Sequence, residues 1–148
     1  MKLLIIWLWF TAQLVPRPCL DIPDMREAAV FPSGSQALGL YTAHPEAVWI
    51  REGLPPSLRR LVTVHEFAHH YWQTCRVAER PVGRRFLRAV GADSWTRQAA
   101  EEWAVTFTWV LTGEAGGSPY LRRRAAYVFA GLIETPDAGQ AARLAWGR

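Results

Sequence analysis

His65-Glu66-Phe67-Ala68-His69 sets two imidazoles four residues apart with a carboxylate between them. On a helix, residues i and i+4 share a face with Cβ atoms about 5–6 Å apart, so both imidazoles can reach one metal ion. Glu66 projects close to that face, near enough to reach a water at the open coordination position without ligating the ion. Two neutral imidazoles that hold zinc, and a carboxylate that takes a proton from water, are the working parts of a zinc hydrolase. With 4 His and 9 Glu in 148 residues, such a pentapeptide arises by chance in roughly one chain of this size in a few hundred.

The chemistry requires a helix, and the flanking residues predict one. Pro55-Pro56-Ser57 precedes a run from Leu58 to Arg76 without Gly or Pro, and proline is favoured in a first helical turn, where its missing N–H is not needed. Leu58, Leu61, Val62, His65, His69 and Trp72 follow the i, i+3, i+4 spacing. Val64, Phe67, Ala68, Tyr71 and Cys75 make most of the remaining circumference apolar, as in a buried central helix. An unpaired buried imidazole costs roughly 1–3 kcal/mol, a cost that metal ligation removes.

A catalytic zinc site takes three protein ligands plus water, so a third ligand is expected farther along. Ser94 to Leu111 reads as a second helix, with Asp93 or Ser94 as N-cap and Gly113 as its stop. Glu101 and Glu102 lie inside it. Adjacent helical residues point about 100° apart, so only one of the two can face the metal; the alternative is two solvated glutamates on an amphipathic helix.

With these residues in view, the chain resembles the gluzincin branch of the zincin metallopeptidases, whose third ligand is a Glu on a later helix. Glu101-x-x-Ala104-x-x-Phe107 is similar to the Glu-x-x-Ala-x-x-Phe pattern of the small phage and bacterial ImmA/IrrE-like peptidases. The resemblance spans roughly Ala37 to Leu111 and implies His65, His69 and Glu101 as ligands of one catalytic Zn²⁺. It implies Glu66 as general base and a peptide or protein as substrate. No helix-turn-helix module is present, and Trp109-Val110-Leu111-Thr112-Gly113 departs from the group's usual continuation, so the metal chemistry is carried over and the biological role is not. For the oxyanion the candidates are His70, Tyr71, Tyr120 and Tyr127, and His44 reads as a turn residue.

The expected fold class is α+β: a small zincin-like domain with a short β-hairpin packed on the central helix and further helices C-terminal. Ala37–Thr42 and Ala47–Glu52 are the hairpin strands around Ala43-His44-Pro45-Glu46. Val48-Trp49-Ile50-Arg51 can be an edge strand that receives an extended substrate, or core sheet. Ala78–Val90, with Arg80, Arg84, Arg85 and Arg88, predicts an amphipathic helix with a basic solvated face. Tyr120–Glu134 and Ala138–Trp146 predict two more helical runs. One domain over residues 19–148 is the economical count.

Half the residues are apolar and eight are Trp, which excludes a disordered chain. The net charge of +4 comes from 16 Arg against one Lys, a bias of the kind a GC-rich genome produces. Arg122-Arg123-Arg124 and the Arg84/Arg85/Arg88 cluster come with no nucleic-acid motif and read as solvated faces. Lys2 and the apolar run 3–15 have the form of a secretory signal, and residues 1–18 are read as a signal peptide or membrane tether of an exported protein. The run falls short of the ~20 residues of a spanning helix, no good small-x-small cleavage site follows, and the rival reading is a buried first strand of a cytoplasmic domain. In an exported chain Cys19 can pair with Cys75; in a cytoplasmic one Cys75 is a small buried residue. A binding protein on a zincin scaffold and a membrane-tethered interaction protein are the alternatives to an enzyme.

Overall fold

Three strands and three α-helices, with short 3-10 turns, make up residues 22–126, the part of the chain that the computed structural model describes. The architecture is α+β, as expected. The run 3–15, Cys19, Tyr127 and the helices expected after Ala126 lie outside the described residues. No described helix is long and apolar enough to cross a membrane.

Strand β1 (Asp24–Ala28) lies parallel to β3 (Glu46–Arg51), and β2 (Gly39–Ala43) lies antiparallel to it, giving the order β1-β3-β2. The hairpin is therefore present, and the edge-strand reading of Val48–Arg51 is corrected: β3 is the central strand. Ala47, Val48 and Ile50 are buried, so the apolar content of β3 goes to the core. β1 had no sequence signal, because Asp24-Met25-Arg26-Glu27-Ala28 is mostly exposed and is held by backbone pairing and ion pairs, Arg26 to Asp24 and Arg59 to Glu27.

Helix α1 (Pro56–Thr74) starts on Pro56 in its first turn. It buries Thr63, Val64, Phe67, Ala68, His70 and Tyr71 between the sheet and α3 (Arg97–Thr112). The expected helix at Ala78–Val90 is divided in two. A 3-10 turn covers Val77–Glu79, and α2 (Pro81–Val90) restarts at Pro81, whose ring fixes φ for a first helical position and supplies no N–H to a preceding turn. Arg84, Arg85 and Arg88 are exposed, as the solvated-face reading requires, while Phe86 is buried.

Two expected boundaries are corrected. The N-cap of α3 is Thr96, not Asp93 or Ser94: its extended backbone lets Oγ1 accept from the Ala99 N–H at 3.1 Å. Gly113 ends α3 with φ 77°, a left-handed conformation that glycine adopts without strain. The helix expected from Tyr120 does not begin there. Gly116 and Gly117 have positive φ, and the Arg122 N–H donates to Thr106 Oγ1 at 3.1 Å, leaving a turn and then a 3-10 segment at Arg123–Ala125.

The core joins α1 to α3. Val64, Phe67, Ala68, Tyr71 and Cys75 meet Trp103, Ala104 and Phe107, with Phe86 and Ala125 closing one end. Cys75 is disulfide-bonded, and Cys19, its expected partner, lies outside the described residues. Trp103 is fully buried, and its indole N–H donates to the Ala68 carbonyl of α1 at 3.1 Å. Replacing Trp103 by Ala removes both the packing and this bond, so Trp103→Ala is expected to lower stability by about 3–5 kcal/mol in urea unfolding. Trp103→Phe, which keeps most of the volume, should cost less than half of that.

Candidate metal centre

Along α1, Leu58, Leu61, Val62, His65, Glu66, His69, Trp72 and Gln73 form one stripe that floors a cleft of about 1250 Å³. At 1.5 Å per residue the stripe runs about 22 Å. β2 and the segment before it make one wall; α3 and residues 115–120 make the other. α3 runs antiparallel to α1, since Trp103 meets Ala68 while Glu114 meets Arg60 at 3.2 Å. That direction brings Glu101 opposite the histidine pair.

His65 Nε2 and His69 Nε2 lie 3.2 Å apart. Glu101 Oε2 is 3.3 Å from His65 Nε2, and Glu101 Oε1 is 3.5 Å from His69 Nε2. All three side chains are partly buried, with 22 %, 18 % and 32 % of their surface exposed. They are the group of His, Cys, Asp and Glu side chains among the described residues whose ligand atoms converge closely enough to hold one ion. Four-coordinate zinc with bonds of about 2.0–2.1 Å at tetrahedral angles separates its ligand atoms by about 3.3–3.4 Å. The observed separations fit such a face. A proton can bridge the donors only in pairs, whereas a cation between them meets the lone pairs of all three.

The electrostatics divide the two carboxylates. Hydrogen bonds from His65 and His69 hold the Glu101 carboxyl well below the usual carboxylate range, outweighing its partial burial. Burial would pull the His65 imidazole down, but its bond to Glu101 and the charges of Glu66 and Glu101 raise it. Glu66 is pushed up, chiefly by burial and further by Glu101, against the lowering influence of the His65 and His69 charges and a bond from the Tyr41 backbone N–H.

That bond follows from strand register. Arg51 N–H donates to the Leu38 carbonyl, so in the alternating antiparallel ladder Leu40 and Thr42 face β3, while Gly39 and Tyr41 turn their N–H and C=O to the other edge. Among the described residues no strand pairs with that edge. Glu66 reaches it because position 39 is glycine: a Cβ there would stand 2.5 Å from Val62 Cγ1 and 2.8 Å from Glu66 Oε1.

The choice that residue types left open between the two glutamates is made by Arg122 and Gln98. Glu102 is buried on another face of α3, where its Oε1 accepts from Arg122 Nη2 at 2.6 Å and Gln98 Nε2 at 3.0 Å. Of the oxyanion candidates, Tyr120 lines the cleft. His70 and Tyr71 do not: His70 is buried against Glu46, Thr74 and Tyr41, and Tyr71 stacks in the core with Phe107. Tyr127 lies outside the described residues. His44 is an exposed residue of the β2–β3 turn. Gly39 and Tyr41 are the site residues that the motif reading passed over; alternation in β2 marks the strand, but only the fold brings its edge to Glu66.

Comparison with protein-family models, curated proteins and solved structures finds no match for this chain.

Gly39→Ala is expected to displace Glu66 and Val62, lowering stability by about 1–3 kcal/mol in chemical denaturation. Glu102→Gln weakens the tie to the half-exposed Arg122 and should cost about 1–2 kcal/mol in the same assay.

Proposed function

We propose that this chain is a zinc-dependent metallopeptidase on a small zincin-like domain, hydrolysing peptide bonds in an extended peptide or protein. The observation that carries the reading is the triangle of His65, His69 and Glu101, with separations of 3.2–3.5 Å, in the same cleft as buried Glu66. A zinc ion held by these three groups supplies Lewis acidity, polarising a carbonyl and acidifying water. Glu66 takes a proton from the attacking water and passes it to the departing amine. Its raised proton affinity suits a group that must both accept and donate. Tyr120 is the remaining described candidate to donate to the developing oxyanion.

Substrate backbone has a place as well. The outer edge of β2 turns the C=O of partly exposed Tyr41 toward an extended strand, while Gly39 is buried and Glu66 already occupies the Tyr41 N–H. Leu38 on the cleft wall and Leu58 and Leu61 on its floor give apolar side chains a surface. Intact Glu66 favours catalysis over a binding role, because a structural site does not require that carboxylate.

Elemental analysis of bound metal per chain tests the reading. Wild type is expected to hold about one zinc. His69→Ala and Glu101→Gln should lose it, while Glu102→Gln and Glu66→Gln keep it. Glu66→Gln should also lower peptide hydrolysis by at least about a hundredfold. A folded wild-type protein that binds no zinc would sink the proposal and favour a binding protein on the same scaffold.

A further inference from the structure

Arg97 is the one arginine or lysine among the described residues that line the cleft. It is the first residue of α3 and stands four residues before Glu101, on the same helical face one turn away. Its side chain is exposed, and among the described residues no carboxylate pairs with it. The acids that follow it on α3 are committed elsewhere: Glu101 to the two imidazoles at 3.3 and 3.5 Å, Glu102 to Arg122 at 2.6 Å. Arg85 and Arg88 share its exposure but lie on the solvated face of α2 away from the cleft, whereas seven other arginines are bound into the fold. Arg26, Arg59, Arg60, Arg76 and Arg122 have carboxylate partners, and Arg51 and Arg84 donate to backbone carbonyls.

The surroundings of Arg97 fit a ligand rather than bulk water alone. Trp72 and Trp95, in ring contact, line the same end of the cleft beyond His69, and Gln73 and Gln98 complete it. An apolar surface beside one guanidinium suits a peptide that presents an apolar side chain followed by an anion. Guanidinium binds carboxylate with two parallel N–H donors, a geometry that ammonium does not reproduce.

We infer that Arg97 is a specificity-determining residue that reads a carboxylate of the bound peptide, at the end of the cleft floored by Trp72 and Trp95. The carboxylate is either a free C-terminus or an acidic side chain close to the scissile bond. This rests on the peptidase reading for the nature of the ligand, but its test does not require turnover.

Full-length Glu66→Gln protein is titrated by fluorescence anisotropy with four dye-labelled heptapeptides that share one apolar core: a free C-terminus, a C-terminal amide, an amide with one internal Glu, and the same amide with Lys in place of Glu. At low salt, one or both carboxylate-bearing peptides should bind about tenfold more tightly than the plain amide. Adding Arg97→Ala in that background should remove the preference, Arg97→Lys should restore part of it, and Arg97→Glu should turn it toward the Lys peptide. Comparing the free acid with the internal Glu peptide identifies which carboxylate is read. Equal binding of all four peptides, a preference that survives Arg97→Ala, or no binding at millimolar peptide overturns the inference. Zinc content and wild-type hydrolysis, measured separately, judge the peptidase reading, so either can fail alone.

Discussion

The packing of α3 on α1 through Trp103 is the constraint on which the site depends. A fully buried indole fills the space between the helices, and its N–H donates to the carbonyl of Ala68, the residue before His69. The bond fixes the two helices in translation as well as in separation, because Trp103 and Glu101 are two residues apart on one helix and Ala68 and His69 are neighbours on the other. A slip of one turn, about 5.4 Å, would carry Glu101 out of reach of both imidazoles. Phe107, one turn on from Trp103 in α3, and Tyr71, three residues on from Ala68 in α1, stack across the same interface and oppose the same slip. The apolar core thus sets the distances of a polar cluster that lies at its margin.

Bringing two carboxylates and two imidazoles together in a partly buried cleft is unfavourable unless their charges are balanced. The fold balances them unequally. Glu101 faces both imidazoles and is held as a carboxylate, the state that a metal ligand requires. Glu66, adjacent in space, is buried more deeply, and that burial raises its proton affinity against the lowering bond from the Tyr41 backbone N–H. Two groups with the same intrinsic acidity are pushed apart by environment, which is how one cleft can hold one residue type in two states of proton affinity.

The part of this arrangement that is local in sequence is also the part that residue spacing reveals. His65, Glu66 and His69 lie within five residues, and helix geometry alone relates them. Pro55-Pro56 and Gly113 mark helix ends because each acts through its own backbone. Decisions made by distant partners are not legible in that way. Glu102 is withdrawn from the cleft by Arg122, 20 positions away, and no periodicity within α3 encodes that pairing. β3 is central because β1 pairs with it, and β1 has neither the residue types nor the alternation of a strand. The N-cap moved from Ser94 to Thr96 because either residue type serves, and the one whose side chain meets Ala99 N–H is set by where the α2–α3 connection arrives.

The arginine-rich composition also acquires a structural content that a count does not reveal. Arg51 donates from three nitrogens to the carbonyls of Ala29, Ser35 and Ala37, at 3.0–3.2 Å, and lies over the Phe31 ring. These carbonyls belong to the segment that leads into β2, so one guanidinium holds the approach to the edge beside Glu66. Arg122 does the equivalent on the opposite wall, bonding Glu102 and the Pro119 carbonyl next to Tyr120. A lysine has the charge but not the planar array of donors needed to reach three carbonyls in different directions. Whatever set the ratio of arginine to lysine in this chain, at positions 51 and 122 the fold depends on the shape of the group, and a cleft with walls held by such clamps keeps its form without a large core behind each loop.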